Sequence, residues 1–320
     1  MRGSPLSRRG FCLCCVGAAT FTATGGWLQP RHVFAKAQGV VDMIRESAAE
    51  TPITTYDLRG GLMILEGSGG NILASSGSDG VVLIDAGIGV SSAKIKQAVS
   101  KLGSKPIRHV INTHWHFDHA DGNEWLGREG AAIHAHKNTL VHLKSAQRVE
   151  EWDFDFPPSP PVALPSSTFG DHHVFDLNGD KIQVDYYGSA HTDSDVSVHF
   201  EKHDILHVAD TYWNGIYPFI DYSTGGSIDG MIKAAQSNVN KAGADTIVIP
   251  GHGHPVSNRK ELVAYRDMLV AIRSNVAELK SKGLSLNETV AKRPTRAFDE
   301  VWGKFVIGPE FFTKLVYEGV

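Results

Sequence analysis

Thr113-His114-Trp115-His116-Phe117-Asp118-His119-Ala120-Asp121-Gly122-Asn123 packs three histidines and a carboxylate into the six positions from His114 to His119. They follow directly on His109-Val110-Ile111-Asn112-Thr113, an apolar run that reads as a buried β-strand. At an extended strand end, side chains two apart share a face, so His114 and His116 can grip one metal ion. If the chain then turns into a helix, Asp118 and His119 come beside a second. Imidazole and carboxylate together suit zinc better than calcium or magnesium. A lone histidine near a strand end is usually an ordinary hydrogen-bonded residue. Among the 16 in this chain, His134, His136, His142, His172, His173, His199, His203 and His254 are read that way. Ligating side chains at the density of residues 114–119 have few structural reasons to exist.

Working outward, three more ligand candidates stand at the ends of expected strands. His191 follows residues 181–187, where Ile182, Val184 and Tyr186 alternate on one face. Asp210 ends the apolar strand 205–209. His252 lies in Pro250-Gly251-His252-Gly253 after the strand 246–250, and its glycines let the backbone turn sharply and come close to a metal. Asp85, ending Val81-Val82-Leu83-Ile84, is placed to accept a hydrogen bond from a ligand histidine and fix its tautomer.

Other segments fill in an alternation of strands and helices. Residues 61–65 and 70–74 read as a hairpin, and 196–200 as a further strand. Ser91-Ser92 can cap a helix with Ile95, Val99 and Leu102 on one face, closed by Gly103. Asn258 with Glu261 suggests a capping box ahead of the stripe Leu262, Leu269, Ile272, Val276 and Leu279, which stops at Gly283. Ser285 with Glu288 starts a short helix, and residues 297–320 are apolar enough to pack. Between the halves, residues 150–169 set Trp152, Phe154 and Phe156 among Pro157, Pro158, Pro160, Pro161 and Pro165. This reads as a loop, its aromatics either flanking a site mouth or pinning the loop to the body. Trp115, Phe117, Tyr212, Trp213, Tyr217 and Phe219 stand near the ligands in sequence and either shape an apolar pocket or belong to the core.

Composition narrows the function classes. The 320 residues are 42% hydrophobic and 21% charged, enough for a sizeable core. Residues 1–35 differ from the rest, with Arg2, Arg8, Arg9 and Arg31 and no acidic residue. Arg8-Arg9 ahead of a short apolar run reads as a twin-arginine (Tat-type) export leader, ending near residue 37 and implying a periplasmic or secreted protein. The run is too short to span a bilayer, so no stable membrane insertion is expected once the leader is removed. Cys12, Cys14 and Cys15 are the only cysteines and all lie in the leader. Without the four leader arginines, the 31 Lys and Arg fall to 27 against 35 Asp and Glu, a net charge of −8 that disfavours nucleic-acid binding.

The His114-x-His116-x-Asp118-His119 run, the later His191, Asp210 and the Gly251-His252 pair resemble the metallo-β-lactamase superfamily over residues 58–256. The resemblance implies an α/β fold, a four-layer αβ/βα sandwich with the site at one edge. Residues 38–283 would form that hydrolase domain, and residues 284–320 a C-terminal helical extension packed on it. It further implies that His114, His116 and His191 bind a first Zn2+, that Asp118, His119 and His252 bind a second, and that Asp210 bridges them. Two such ions about 3.5–4 Å apart can hold a hydroxide as nucleophile. A small lactam, lactone, thioester or ester would be the substrate, as for a β-lactamase, with Asp118 also orienting the water or shuttling a proton. The redox branch of the fold has Glu where His116 stands, and two β-lactamase subclasses need a cysteine ligand that the mature chain lacks. A non-catalytic periplasmic metal-binding protein is the alternative. It would be marked by missing ligands, and all seven are present. The sequence leaves the oligomeric state open.

Overall fold

The period-two alternation of the early strands sorts their side chains into two separate cores. In the computed structural model, which describes residues 39–320, Leu62, Ile64, Val82 and Ile84 face one core while Met63, Leu65, Val81 and Leu83 face another. The expected leader, residues 1–37, lies outside the described residues. Full burial of one such side chain contributes about 1.5–3 kcal/mol, so a register slip of one residue would be strongly opposed.

The first sheet orders β1 (Thr54–Asp57), β2 (Met63–Glu66), β3 (Ile72–Gly77), β4 (Gly80–Ile84), β5 (Ile107–Ile111), β6 (Ala132–His136) and β9 (Ser167–Phe169). The second orders β10 (His172–Leu177), β11 (Asp180–Tyr186), β12 (Val196–Phe200), β13 (Ile205–Asn214) and β14 (Ile247–Gly253). β7 (Gln147–Val149) and β8 (Phe154–Phe156) form a separate hairpin. Between the two sheets lies a core in which Ile64, Leu73 and Ile84 of the first join Val184, Val198 and Ile249 of the second. Outside the first sheet packs α2 (Ser92–Val99), through Ile95, Ala98 and Val99. Outside the second pack α6 (Ile228–Lys241) and α7 (Arg259–Ser281), with Met231 and Leu269 in one core with Leu206, Val208 and Val248, and α10 (Pro309–Glu318) packs on α7, adding Leu315 to that core. This is the four-layer αβ/βα sandwich, with a helical C-terminal region that also includes α8 (Leu286–Ala291) and α9 (Asp299–Trp302). Among the described residues, no helix is long and apolar enough to cross a membrane.

Four local expectations are corrected. β5 stops at Ile111, so His114 and His116 occupy the loop behind it rather than the strand itself. β13 and β14 continue through Asp210 and His252, which therefore lie within strands and not at their ends. Register shifts at Ala209, whose φ of 45° is left-handed, re-aim the chain there. Residues 150–169 contain β8 and β9 as well as loop, and β9 pairs in parallel with β6. Ser91 does not cap α2: its φ/ψ of −90°/1° is unsuited, and its hydroxyl donates to Ala48 O instead. The other helix starts follow the sequence more closely. Asn258 accepts from Glu261 N at 3.1 Å, although Glu261 is engaged by Ser257 rather than closing the box, and Ser285 with Glu288 forms a full capping box.

Candidate metal centre

The strands converge at one edge of the sandwich, and backbone bonds lock the two sheets together there. Asn71 N donates to Gly251 O (2.8 Å) and Val196 N to Thr113 O (2.9 Å), while Asn71 Nδ2 reaches Pro250 O (2.9 Å). α3 (Phe117–Ala120), a single turn begun by His116, is the helical start behind β5 that swings Asp118 and His119 towards the second sheet. All seven sequence-derived ligands come together. Their ligand atoms form three groups, each within 4.8 Å: His114, His116 and His191; His114, His119 and Asp210; and Asp118, His119 and His252. His134, His136, His142, His172, His173, His199, His203 and His254 belong to none of these groups.

Which nitrogen of each histidine faces inward follows from what holds the other. Thr113 Oγ1 gives its one proton to Asp85 Oδ2 (2.8 Å), so towards His114 Nδ1 (3.1 Å) it can only accept. His114 Nε2 is thus left bare, and it is buried with no hydrogen-bond partner. His191 Nδ1 donates to the carbonyl of Phe219 (2.9 Å), which frees Nε2. His116 is held at Nε2 by Asp221 Oδ2 (2.9 Å), which frees Nδ1, and His119 at Nδ1 by Asp85 Oδ2 (2.7 Å), which frees Nε2. The freed atoms then face one another: His116 Nδ1 and His191 Nε2 are 2.8 Å apart. Asp210 Oδ2 lies 3.4 Å from His191 Nε2 and 3.2 Å from His252 Nε2, and its Oδ1 lies 3.0 Å from His119 Nε2. That last contact lacks hydrogen-bond geometry, and Oδ1 is a buried atom without a partner. Asp118 Oδ2 completes the set, 3.2 Å from His252 Nε2.

Such a convergence of lone pairs is unfavourable unless positive charge sits among them. The side chains register that demand. Burial opposes a proton on His119, yet the carboxylates of Asp210, Asp118 and Asp85 outweigh it and hold its pKa well above the usual histidine value. His252 is likewise pushed up to about 9 against burial, by Asp210 and Asp118. Burial would raise Asp118, but His119 and His252 pull it down to about 2, so it stays a carboxylate. His114 and His191 remain neutral because burial, with the neighbouring histidines, outweighs the pull of Asp210, the latter histidine falling to about 4. Three bare imidazole nitrogens, on His114, His116 and His191, with two carboxylates and two further histidines that must be charged or coordinated, fit divalent metal ions.

Local backbone makes the close approach possible. A Cβ on Gly251 would fall 1.9 Å from Asp210 Oδ1, and one on Gly70 would fall 2.1 Å from the His119 ring, so only glycine fits either place. Asp85 acts as the sequence suggested, from a left-handed φ of 67°. Asp221 was not foreseen, because nothing in the local pattern links it to His116, 105 residues away. It also accepts from Thr224 Oγ1 (2.6 Å), itself held by Trp115 Nε1 (3.0 Å). Of the aromatics noted in the sequence, Trp115, Phe219 and Trp213 pack against ligand rings, with Trp213 4.3 Å from His252, whereas Tyr212 and Tyr217 are core.

Residues 67–279 match the family model described as the metallo-beta-lactamase superfamily. The chain belongs to that superfamily. It is 27% identical over 215 residues, 62% of this chain and 72% of the relative, to a metallo-beta-lactamase type 2 of Bacillus cereus. Among solved structures it resembles a metallo-beta-lactamase from Pontibacter korlensis (TM-score 0.55, 19% identity, 68% of this chain and 98% of that one). It also resembles a stereoselective inverting sec-alkylsulfatase from Pseudomonas sp. (TM-score 0.63, 17% identity, 85% of this chain and 51% of that one). At such identities the structural likeness speaks for the superfamily fold, and the His/Asp cluster is compatible with a metal-dependent hydrolase of that fold.

Proposed function

We propose that the chain is an exported zinc-dependent hydrolase, holding two ions per molecule and cleaving a small carbonyl-type substrate: a lactam, lactone, thioester or ester. The observation behind this is the set of inward-facing nitrogens and carboxylate oxygens whose outward partners are already satisfied by Asp85, Asp221, Thr113 and Phe219 O. His114, His116 and His191 would hold one ion, Asp118, His119 and His252 the other, with Asp210 shared. Two bound ions would supply a water of lowered pKa as nucleophile and a Lewis acid for the substrate oxygen. The chain's own residues do the rest. Asp85 and Asp221 hold the tautomers of His119 and His116, so that the other nitrogen of each ring faces inward. Asp118 keeps a side-chain exposure of 12%, so as a carboxylate at the accessible edge it would orient an incoming water, and with its pKa held at about 2 it would carry that water's proton only in passing. Buried Phe219 and Trp213 exclude water from behind His191.

Metal analysis of the purified mature protein, with a hydrolysis panel of a cephalosporin, an acyl-homoserine lactone, a thioester, a phosphodiester and a secondary alkyl sulfate, tests this reading. Two zinc ions and a chelator-sensitive activity are expected. Full activity after chelation refutes it, and zinc binding with no turnover on any carbonyl substrate favours the accessory metal-binding alternative. Export is checked by Arg8→Lys combined with Arg9→Lys, which should leave the protein inside the cell.

A further inference from the structure

The aromatic side chains on one flank of the cluster form a continuous row, and its outer members reach solvent. Trp152 stacks on Phe219 (centroids 4.9 Å apart) and lies 5.4 Å from the His116 ring. Phe311, from α10, lies 6.5 Å from Phe219 on the same row, and Phe154 packs on Phe156 (4.6 Å), which is 6.2 Å from Trp152. Phe219 and Phe156 are buried, whereas Trp152, Phe154 and Phe311 are only partly so. A side chain that touches both a ligand ring and water sits on the rim of the site.

The way in is marked by the ligands themselves. Asp118 and His252 keep side-chain exposures of 12% and 15%, and the other five are at most 2% exposed. Phe117, which joins His116 to Asp118, packs its ring 6.0 Å from Trp152, so the aromatic row borders the accessible edge. The charge around it is negative. Glu150 and Glu151 precede Trp152, and the Glu151 Oε2 atom is buried without a partner. Burial raises the Glu151 pKa, with Glu318 adding to the effect. Three cations stand among these carboxylates: Arg148 pairs with Glu150, Asp153 and Asp155, Lys314 acts on Glu151, and Arg45 lies over Phe117 and Phe154 (5.3 and 5.9 Å) and faces Asp121 at 3.7 Å, so with Glu318 the acidic groups outnumber them.

We propose that Trp152, with Phe154 and Phe311, forms an apolar ledge that receives the uncharged alkyl or aryl part of the substrate while its polar head lies at the metal cluster. The ledge rests on the metallohydrolase reading above and narrows its substrate class. A half-buried aromatic row that runs from the His116 ring out to solvent gains from hydrocarbon contact. Its acidic flank disfavours a tail that ends in an anion. Contact on one face removes about half of a methylene's surface from water, so each methylene should tighten binding about two-fold.

The test uses the cobalt(II)-loaded full chain and simple thiols, whose sulfur reports metal binding through its charge-transfer absorbance. Ethanethiol, butanethiol, hexanethiol and 6-mercaptohexanoate are titrated in turn. Affinity should rise about fifteen-fold from ethanethiol to hexanethiol, and the carboxylate-tipped thiol should bind more weakly than hexanethiol. Trp152→Ala should flatten the chain-length series and Trp152→Phe should keep it. Phe311→Ala, on a different element, should also reduce the slope. A flat series in the unaltered protein, an unchanged slope in both alanine variants, or tighter binding of 6-mercaptohexanoate overturns the ledge. A missing charge-transfer band with every thiol strikes the metal reading instead, so the two failures are told apart.

Discussion

Replacing Asp85 with asparagine takes away one charge and leaves the backbone almost untouched, because asparagine tolerates the left-handed φ of 67° about as well as aspartate. The carboxylate accepts three bonds: Thr113 N on Oδ1 (2.7 Å), and Thr113 Oγ1 (2.8 Å) and His119 Nδ1 (2.7 Å) on Oδ2. The amide oxygen can keep Thr113 N, but its NH2 group then stands against His119 Nδ1–H. Either two donors meet or His119 moves its proton to Nε2, the atom that faces Asp210. Losing a hydrogen bond to a charged partner costs about 1.5–3 kcal/mol, so binding of one ion should weaken about 10–100-fold, as expected when the carboxylate behind a ligand histidine is lost. The effect should fall first on the half holding Asp118, His119 and His252 and reach His114 through Thr113, whose hydroxyl loses its acceptor, while Asp221→Asn should weaken only the half holding His114, His116 and His191. Competition against a chromophoric chelator resolves the two affinities. Two ions bound to Asp85→Asn with unaltered affinities would refute the assignment of Asp85 as the support of His119.

Metal uptake should be linked to pH, because coordination displaces the protons that the carboxylates hold on His119 and His252. Affinity should therefore rise with pH up to about 9, the value of His252, and calorimetry in buffers of different ionisation enthalpy should show proton release on binding. A heat that is the same in every buffer would contradict it. Gly251→Ala should abolish tight binding, since its Cβ would meet Asp210 Oδ1 at 1.9 Å and Ala209 C at 2.7 Å, whereas Gly243→Ala meets only Thr246 Oγ1 at 3.5 Å and should bind metal normally. The strain at Gly251 should also cost about 1–3 kcal/mol of stability, read by thermal unfolding of both variants without metal.

Much of this site was legible because its ligands sit where short-range rules apply. His114 to His119 announce themselves by density, and His191, Asp210 and His252 each stand beside an apolar strand that periodicity finds. Asp85 could be read for the same reason, as the polar residue that ends a buried strand. Exact strand limits could not be read. Asp210 lies inside β13 because the ladder with β14 bulges at Ala209, and a bulge depends on the partner strand rather than on local sequence. The short strands β8 and β9 were hidden by the prolines around them, and β9 exists because β6 offers it an edge. Asp221 had no local signature, since its role is fixed only when the segment around it folds back on His116.

That segment explains what the C-terminal region does for the centre. Residues 217–222 supply Phe219 O to His191 and Asp221 to His116, yet they belong to no strand. They are held from both sides. Asp221 N donates to His191 O (2.9 Å), and the terminal helices grip the ends: Tyr217 N donates to Trp302 O (2.8 Å), Tyr217 OH to Asp299 Oδ1 (3.0 Å) and Tyr222 OH to Leu315 O (2.8 Å). Phe312 stacks on Tyr217 at 4.6 Å and seals the contact. Each of these bonds contributes only about 0.5–1.5 kcal/mol, but together they fix two tautomers in one half of the site. The other half depends on Asp85, anchored at the end of β4 within the sheet. The His116 and His191 half therefore inherits the stability of the chain's last helices, and the His119 half inherits that of the first sheet.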